Sequence, residues 1–600
     1  MIKTSDDELF RPQLIWPGKK QPERVSLPFQ IIETINEERN SLKDNWKNRL
    51  IWGENLLVTN SLLEEFSGKI DLIYIDPPFA TGQDFSQIIN IGKKDDITKM
   101  PSAIEIKVYR DTWGKGLQSY FQMMYERLSV MNKLLSDTGS IYVHSDWRVD
   151  SYIRLILDEV FGSQGLKNEI VWHYEKWTAP SKSYQKNHDI IYFYTKSRNH
   201  QFNEQKIITE NLKNKYEKGY LIGGGYGSKG LVVYDRENPK VKKMIASGKY
   251  FVHYEEAQGK PLSDVWHIPF INPVAHERLN YPTQKPEALI ERMIKASSKE
   301  DDLVADFFCG SGTTGVVAEK LGRRWIMADL GRYAIHTTRK RLLDINASPF
   351  TVQNLGKYER QHWVKLNGKY TGYLKFILEL YKGESIPPEF KHLQGRKNHT
   401  YIHIGNVDAP ITFSEVMEAL QECKENNITA LDVLGWEWEL GLNELIHEEA
   451  RQFGISLNLL QIPQEVMELS AKDTIKYDIQ FFELAFLEVD TLIQNSTLTV
   501  TLMDFIIPNP KLLPIDLKGK IKNWSDFIDY WAVDWLFNKE KQRNKDTFHN
   551  MSQRYRTRKN PKLDLSLTYD YPEAGNYEIL VKVIDIFGND TTKHLEIRIE

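Results

Sequence analysis

As far as Pro349 the apolar residues of this chain follow two alternating periods. Short apolar runs, rich in β-branched residues, occupy 70–75, 139–144, 303–305 and 324–328, and each reads as a buried strand. Between them apolar positions recur every three to four residues over 54–66, 117–135, 148–161 and 316–322, which predicts helices with one buried face. Strand and helix in alternation predict an α/β domain. Two stretches break the pattern. Residues 1–45 are polar with scattered prolines and read as an arm. Residues 80–113 contain glycines and mixed charge, and beside a strand end they are expected to form a substrate-closing flap.

Past Pro349 the pattern starts again. Residues 401–404, 430–434 and 456–461 read as strands, with helices at 413–426 and 442–453 between them. A second, smaller parallel α/β domain is expected there. Gly435-Trp436-Glu437-Trp438-Glu439, after one strand end, reads as interface packing rather than a second site. Residues 475–508 look like hairpin material, and Trp524, Phe527, Tyr530, Trp531, Trp535 and Phe537 make the next stretch aromatic. Strict alternation at 576–585 and 591–600, about Phe587-Gly588-Asn589-Asp590, resembles the last hairpin of an immunoglobulin-like sandwich. The expected division is an arm (1–45), a main domain (46–350) with an insertion at 175–265, a linker (351–395), a small α/β domain (396–475), a mixed β and helical region (476–560) and a sandwich-like end (561–600).

Composition narrows the class. Six hundred residues, 41% hydrophobic and 27% charged, describe a soluble globular chain of three or four domains. No apolar run reaches the length of a membrane span and MIKTSDDELF holds no apolar signal segment, so the cytoplasm is the expected location. Only Cys309 and Cys423 occur, which excludes a disulfide framework, and no metal site is expected. A net charge of −4 does not announce a nucleic-acid binder. Local charge does. From Lys176 to Lys249 there are fifteen Lys/Arg against six Asp/Glu, interleaved with Trp177, Tyr184, Tyr192, Tyr216, Tyr220, Tyr226 and Tyr234. Gly223-Gly224-Gly225-Tyr226-Gly227 permits close backbone approach, so this insertion is expected to grip phosphates and read bases. The run Arg554-Tyr555-Arg556-Thr557-Arg558-Lys559 reads equally as a phosphate or partner contact and as a solvated charge run.

Two stretches carry chemistry. The strand from Lys69 stops on Asp76-Pro77-Pro78-Phe79. Pro78 has no N–H and forces Pro77 into an extended shape, so the ladder ends there. A carboxylate, a kink that exposes a carbonyl and an aromatic ring meet at the strand's carboxyl end, where ligands sit in open α/β sheets. Much later, the strand at 303–305 leads into Gly310-Ser311-Gly312-Thr313-Thr314-Gly315, a helix, and a strand ending on Asp329, 14 residues past Gly315. That is the layout of an adenosine-binding unit: glycines admit a ligand to the backbone and the acid holds ribose hydroxyls.

Together these stretches resemble the amino-methyltransferases of DNA. The catalytic corner precedes the cofactor loop Phe308-Cys309-Gly310-Ser311-Gly312, an order that resembles the β class. The likeness covers residues 45–345 and includes Leu50-Ile51-Trp52-Gly53-Glu54-Asn55-Leu56-Leu57 and Tyr281-Pro282-Thr283-Gln284-Lys285-Pro286. It implies a Rossmann-like sheet in permuted order, S-adenosylmethionine as cofactor, and methylation of adenine N6 in duplex DNA. Asp76 and the Pro77 carbonyl, braced by Pro78, would accept hydrogen bonds from the amine, and Phe79 would stack on a base taken out of the duplex. Asp306 and Phe308 would lie at the methionine end, Gly310 and Gly312 would give backbone approach, Thr313 and Thr314 would begin the helix, and Asp329 would take the ribose. Thr283 and Lys285 would close over the methionine portion. Phe307 departs from the proline common after the aspartate and puts Asp306 in more doubt than Gly310. Trp172 and Tyr174 share one face of a family strand at the pocket and read equally as stacking partners for the base and as core.

Cytosine-N4 methylation uses the same amine logic, although the family there more often carries serine at the position of Asp76. A C5 methyltransferase needs a cysteine beside a proline corner, which neither Cys309 nor Cys423 supplies. A silent DNA-binding scaffold is the remaining alternative, and the intact Asp76 and glycine loop speak against it. In size and motif order the chain resembles modification subunits of type III restriction systems and methylases of phage-defence loci. It has no Gly-x-x-x-x-Gly-Lys-Ser/Thr run. Cleavage or translocation would fall to a helicase or nuclease partner, and the C-terminal domains are the expected docking platform for it, or for a homodimer.

Overall fold

The computed structural model describes residues 13–38, 43–78, 87–91, 95–99, 117–175, 182–208, 212–213, 217, 220–222, 229–235, 237–254, 259–272, 275, 277–279, 281, 283–367, 370–439, 442–463, 466, 479, 481–507, 521–537, 547–557, 562–586 and 588–600. Its largest sheet takes strands from nearly the whole chain. In chain order these elements are β1 (Gln30–Ile35), β2 (Asn48–Trp52), α1 (Asn55–Phe66), β3 (Ile70–Ile75), α2 (Leu117–Leu134), β4 (Leu135–Ser145) and α3 (Asp150–Phe161). There follow β5 (Leu166–His173), β6 (His188–Thr195), β7 (Val265–His267), α4 (Glu287–Ser297), β8 (Leu303–Asp306), α5 (Thr313–Lys320), β9 (Arg324–Asp329), α6 (Arg332–Asp344), β10 (Phe350–Asn354) and β11 (Phe548–Asn550). Across the sheet the order is β7-β5-β6-β4-β3-β8-β9-β2-β10-β1-β11.

This order brings two distant stretches together. β8 lies between β3 and β9, parallel to both, with Val304 opposite Leu72 and Asp306 opposite Met327. β9 pairs in parallel with β2, placing Asp329 opposite Trp52. The carboxyl ends of four parallel strands therefore share one rim, and Asp76, Asp306 and Asp329 stand on it. Strand alternation sorts the two faces. Ile73, Ile75, Ile141 and Val143 pack with Leu62, Met124, Leu128, Ile153 and Leu157 of α1, α2 and α3. Leu72, Tyr74 and Val304 pack with Leu289, Met293, Val316 and Leu342 of α4, α5 and α6.

The main-domain helices begin and end within a few residues of where the periodicity puts them. The edges differ more. Residues 30–35, expected in an arm, form a strand between β10 (antiparallel) and β11 (parallel), and Trp16 is buried edge-on against Phe121 and Tyr125. β1 owes its place to partners hundreds of residues away, which local pattern does not report. Residues 351–395, expected as a linker, carry most of β10, a helix at Gly356–Asn367 and another at Tyr370–Tyr381. The second helix buries Tyr373, Phe376, Ile377 and Leu380 in the small α/β domain. The expected insertion at 175–265 gives β6 to the main sheet, antiparallel to both neighbours. Beyond β6, strands at Tyr220–Ile222, Lys229–Val233 and Tyr250–Tyr254 form a small sheet under the helix Pro239–Ala246.

The small domain holds parallel strands at Thr400–Ile404, Ala430–Gly435 and Ser456–Gln461, as expected. The regions expected separately at 476–560 and 561–600 are one sandwich. Phe486–Gln494, Thr497–Ile506 and Ser566–Asp570 form one sheet; Ser552–Tyr555, Ile528–Phe537, Gly575–Asp585 and Asp590–Ile599 form the other. Leu498 and Val500 pack against Trp531, Trp535, Ile579 and Val581 across the gap. Arg556 is buried and donates to the carbonyls of Ile528 and Ser525, while Arg554 pairs with Asp564, so these two arginines of the basic run serve the sandwich; Arg558 and Lys559 lie outside the described residues. No helix among the described residues is long and apolar enough to cross a membrane.

Asn48 shows how β2 is locked between its neighbours. Fully buried, it accepts from the Trp46 indole N–H (2.7 Å) and the Trp325 amide (2.8 Å). Asn48→Ala should orphan both donors and lower the free energy of unfolding by about 2 kcal/mol. Urea denaturation measures this, and an unchanged midpoint would show that the two donors find other acceptors.

Candidate active site

Asp76 is the first residue after β3, on the side of the sheet that carries Leu72 and Tyr74. Pro77 is buried and Pro78 half-buried. The Lys285 ammonium, also buried, holds Oδ2 of Asp76. Lys285 further donates to the Thr283 carbonyl at 3.3 Å, and its own carbonyl accepts the Thr313 hydroxyl at 3.3 Å. Thr283 takes a left-handed φ of 63°, uncommon for a β-branched residue, so the segment entering α4 bends sharply two residues before the lysine. The other oxygen, Oδ1 of Asp76, is buried and has no hydrogen-bond partner among the described residues.

A polar row runs from this carboxylate across the sheet. His144 on β4 is fully buried, with Nδ1 3.9 Å from Asp76 Oδ1 and 3.1 Å from the Tyr74 hydroxyl. Its Nε2 lies 3.2 Å from Asp189 on β6, and Asp189 accepts the Tyr174 hydroxyl at 2.9 Å. Burial works to raise the Asp189 carboxyl, but the bonds from His144 and Tyr174 and the nearby Lys285 hold it below the usual range. Burial and the facing carboxylates push the Tyr74 and Tyr174 hydroxyls up, so both stay protonated donors. Of this row sequence reasoning singled out Tyr174 and missed His144 and Asp189. The signal was a strand, next to that of Asp76, ending on a histidine at the same rim.

The glycine turn is shaped by its own surroundings. Gly310 and Gly312 have φ of 51° and 74°. A Cβ on Gly312 would come within 2.5 Å of the Thr338 side chain on α6, so glycine is required there by the fold itself. Thr338 donates to the Gly310 carbonyl at 3.1 Å. Arg341, also on α6, donates to the Thr313 hydroxyl (2.8 Å) and the Ser311 carbonyl (3.3 Å) and pairs with Glu287 (2.7 Å). Asp329 accepts the amides of Gly310 and Gly331, each at 2.8 Å, one on each oxygen. Asp306 is buried and accepts the Thr314 hydroxyl at 2.6 Å and the Phe308 amide at 2.9 Å. Phe307 is fully buried in the core beneath, and Phe308 is half-buried.

The structure thus gathers Asp76, Lys285, Thr283, Thr313, Thr314, Asp306, Gly310, Gly312 and Asp329 on one rim. Trp172 and Tyr174 stand behind the corner. The Trp172 indole is fully buried and donates to the Ile268 carbonyl at 2.9 Å, and Tyr174 packs on Phe270 with ring centroids 4.0 Å apart. Phe79, the flap at 80–113 apart from the strand pair Gln87–Ile91 and Asp95–Lys99, the run Gly223–Gly227, Trp177, Tyr216, Tyr226 and Phe587 lie outside the described residues. In the insertion, Lys240, Lys242, Lys243 and Lys249 are exposed, as are Phe251 and His253 on the sheet beside them.

Burial pushes the Asp306 carboxyl up to about 7, against the pull of its Thr314 and Phe308 bonds and with a smaller push from Asp76 and Asp329. Unfolded, the group titrates near 4, so the fold binds the proton more tightly. Stability from this group is then complete below about pH 4 and is lost as pH rises through about 7. Asp306→Asn should remove that slope. Urea unfolding at pH 5 and pH 8 should show the variant gaining on the parent at the higher pH, by about 2–3 kcal/mol. A variant that keeps the parent's loss would assign the slope to another group.

With the geometry in place, comparison with known proteins is informative. The DNA methylase family pattern matches residues 70–340. Type II methyltransferase M.EcaI from Enterobacter cloacae is 30% identical over 338 residues, covering 49% of this chain and 69% of that protein. The DNA adenine methyltransferase YhdJ of Escherichia coli K12 is 26% identical over 295 residues, 49% of this chain and 82% of its own. The Mod subunit of the type III restriction-modification enzyme StyLTI from Salmonella typhimurium LT2 is 26% identical over 331 residues, 46% of this chain and 51% of that subunit. Strand order, acidic rim and matched residues agree: this chain belongs to the DNA methylase family.

Proposed function

We propose that this chain transfers a methyl group from S-adenosylmethionine to the N6 amine of adenine in DNA, acting on a base swung out of the duplex. One observation supports it above the others. Among the described residues Asp76 Oδ1 is a buried acceptor with no hydrogen-bond partner, on the rim that also carries the glycine turn and Asp329. A buried carboxylate oxygen left unpaired is costly unless a ligand completes it, and an amine N–H does so.

The residues present suit the cofactor. Asp329, which accepts the Gly310 and Gly331 amides, stands at the strand end where a carboxylate would accept ribose hydroxyls. Asp306, Phe308 and the segment of Thr283 and Lys285 flank the space where the methionine end would lie. Bound there, the cofactor supplies an electrophilic sulfonium methyl. The protein's part is position and polarity. Adenine's amine is a poor nucleophile because its lone pair is spread into the ring. Asp76 Oδ1 and the Pro77 carbonyl accept its two N–H groups and draw the nitrogen toward tetrahedral, with its lone pair facing the donor. Lys285 anchors the far oxygen, so the accepting one keeps its orientation. When the N–C bond forms and the S–C bond breaks, the amine sheds a proton, and Asp76 is the base in contact with it. Phe79 is the proposed stacking partner for the extruded base, with Tyr174 and Trp172 forming the wall behind it. The exposed lysines of the insertion suit phosphate contacts.

The likeness to a Mod subunit supports a role as the modification component of a restriction or defence system, with a separate subunit docking on the C-terminal domains. Asp76→Ala tests the chemistry. The change strands the Lys285 ammonium, at a cost on the order of 3 kcal/mol, so calorimetric cofactor binding on the same sample serves as proof of folding. Cofactor affinity should stay within a few-fold of the parent while methyl transfer to unmethylated DNA falls by at least about a thousandfold. Transfer at near-parental rate would refute the role given to Asp76.

A further inference from the structure

Helix α6, which follows Asp329, has two working faces. On one, Thr338 and Arg341 hold the glycine turn through the Gly310 carbonyl, the Ser311 carbonyl and the Thr313 hydroxyl. Helical spacing puts Arg332, His336, Arg339 and Lys340 on the opposite face; Arg332, His336 and Lys340 are engaged by the C-terminal sandwich, and Arg339 by Glu33 at its seam with β1. Asp529, at the start of the central strand of the sandwich, accepts from His336 Nε2 at 2.6 Å and from Lys340 Nζ at 2.8 Å. Arg332 donates to Asn589 at 2.8 Å, and its stem packs on Gly588, where a Cβ would come within 3.2 Å. Arg339 pairs with Glu33 of β1 at 3.3 Å, and the fully buried Glu33 also accepts the Tyr530 hydroxyl at 3.1 Å.

These contacts are of the kind that fix a position. Burial alone would raise the Asp529 carboxyl, yet Lys340 and His336 outweigh it and hold it well below the usual carboxylate range. A largely buried carboxylate with two donors tolerates little sliding, since losing either leaves a desolvated charge. Thr338 is equally intolerant, because it fills the space a Cβ on Gly312 would need. A shift of α6 at one face is therefore felt at the other.

We propose that the C-terminal sandwich is part of the cofactor-binding apparatus. Asp529 acts as a positioning residue: it fixes α6, and α6 fixes the glycine turn in the shape that receives the cofactor. Because coupling between two sites is reciprocal, cofactor binding in turn tightens the docking of the sandwich on α6. Whatever engages the sandwich thereby gains a route to cofactor affinity. The inference rests on the methyltransferase reading above.

The test uses the whole 600-residue chain with S-adenosylmethionine, measured by calorimetry. Asp529→Asn and, separately, Lys340→Met should each weaken cofactor binding by about tenfold, with kcat at saturating cofactor unchanged and KM for the cofactor raised in parallel. Hydrogen exchange at residues 310–314 should quicken in both. Leu498→Ala is the control. It hollows a sandwich core that includes no residue of α6 and should lower the melting temperature while leaving cofactor affinity as it was. Cofactor affinity unchanged in both α6-contact variants, or weakened equally in the control at matched melting temperature, would overturn the proposal. Failure of the parent chain to bind the cofactor would instead count against the methyltransferase reading itself.

Discussion

The ion pair between Lys285 and Asp76 joins the two halves of this site. The residues are 209 positions apart, and each belongs to a different functional stretch: one to the strand that ends on two prolines, the other to the segment entering α4. A buried pair of this kind adds little net stability over an apolar substitute, but breaking it by removing one partner is expensive. Its value lies in geometry. With Oδ2 committed to the lysine, the carboxylate can turn only Oδ1 to a ligand, and among the described residues that oxygen has no hydrogen-bond partner. Lys285 is also tied through its carbonyl to Thr313, at the start of the helix after the glycine turn. The acceptor for the amine and the loop for the cofactor are thus positioned by one residue.

Around that pair the sheet is interleaved rather than assembled from consecutive blocks. β8 and β9 insert between β3 and β2, and β1 and β11 extend the far edge with strands from the two ends of the chain. Parallel pairing at the centre puts the acids on one rim, the arrangement that lets open α/β sheets bind ligands. The C-terminal sandwich is sewn into the same frame through Glu33, Tyr530 and Asn550 at the seam with β1 and through Asp529 on α6. Buried polar contacts of this density describe a fixed joint.

Much of this was legible in the sequence because it rests on local signals. The strand at 70–75 and its proline stop, the glycine turn with an acid beyond it, and the helices at 54–66 and 413–426 follow from periodicity, caps and backbone limits, all set by neighbours in the chain. What the sequence hid depends on distant partners. Gly312 looked like a ligand-approach glycine, yet its immediate need is the close packing of Thr338. Residues 30–35 looked like an arm because their pairing partners lie at 350–354 and 548–550. Arg556 looked like surface charge, but its guanidinium closes backbone carbonyls inside the sandwich. His144 carried no motif at all, and only the lateral order of the strands sets it beside Asp76.

The account as a whole stands on the identity of the atom that receives the methyl group. Unmethylated duplex DNA incubated with this chain and S-adenosylmethionine, then digested to nucleosides and analysed by mass spectrometry, reads that atom directly. The account predicts N6-methyldeoxyadenosine, accumulating with time, and no N4-methyldeoxycytidine. N4-methyldeoxycytidine as the product, or no methylated nucleoside from a chain that binds the cofactor, would contradict it.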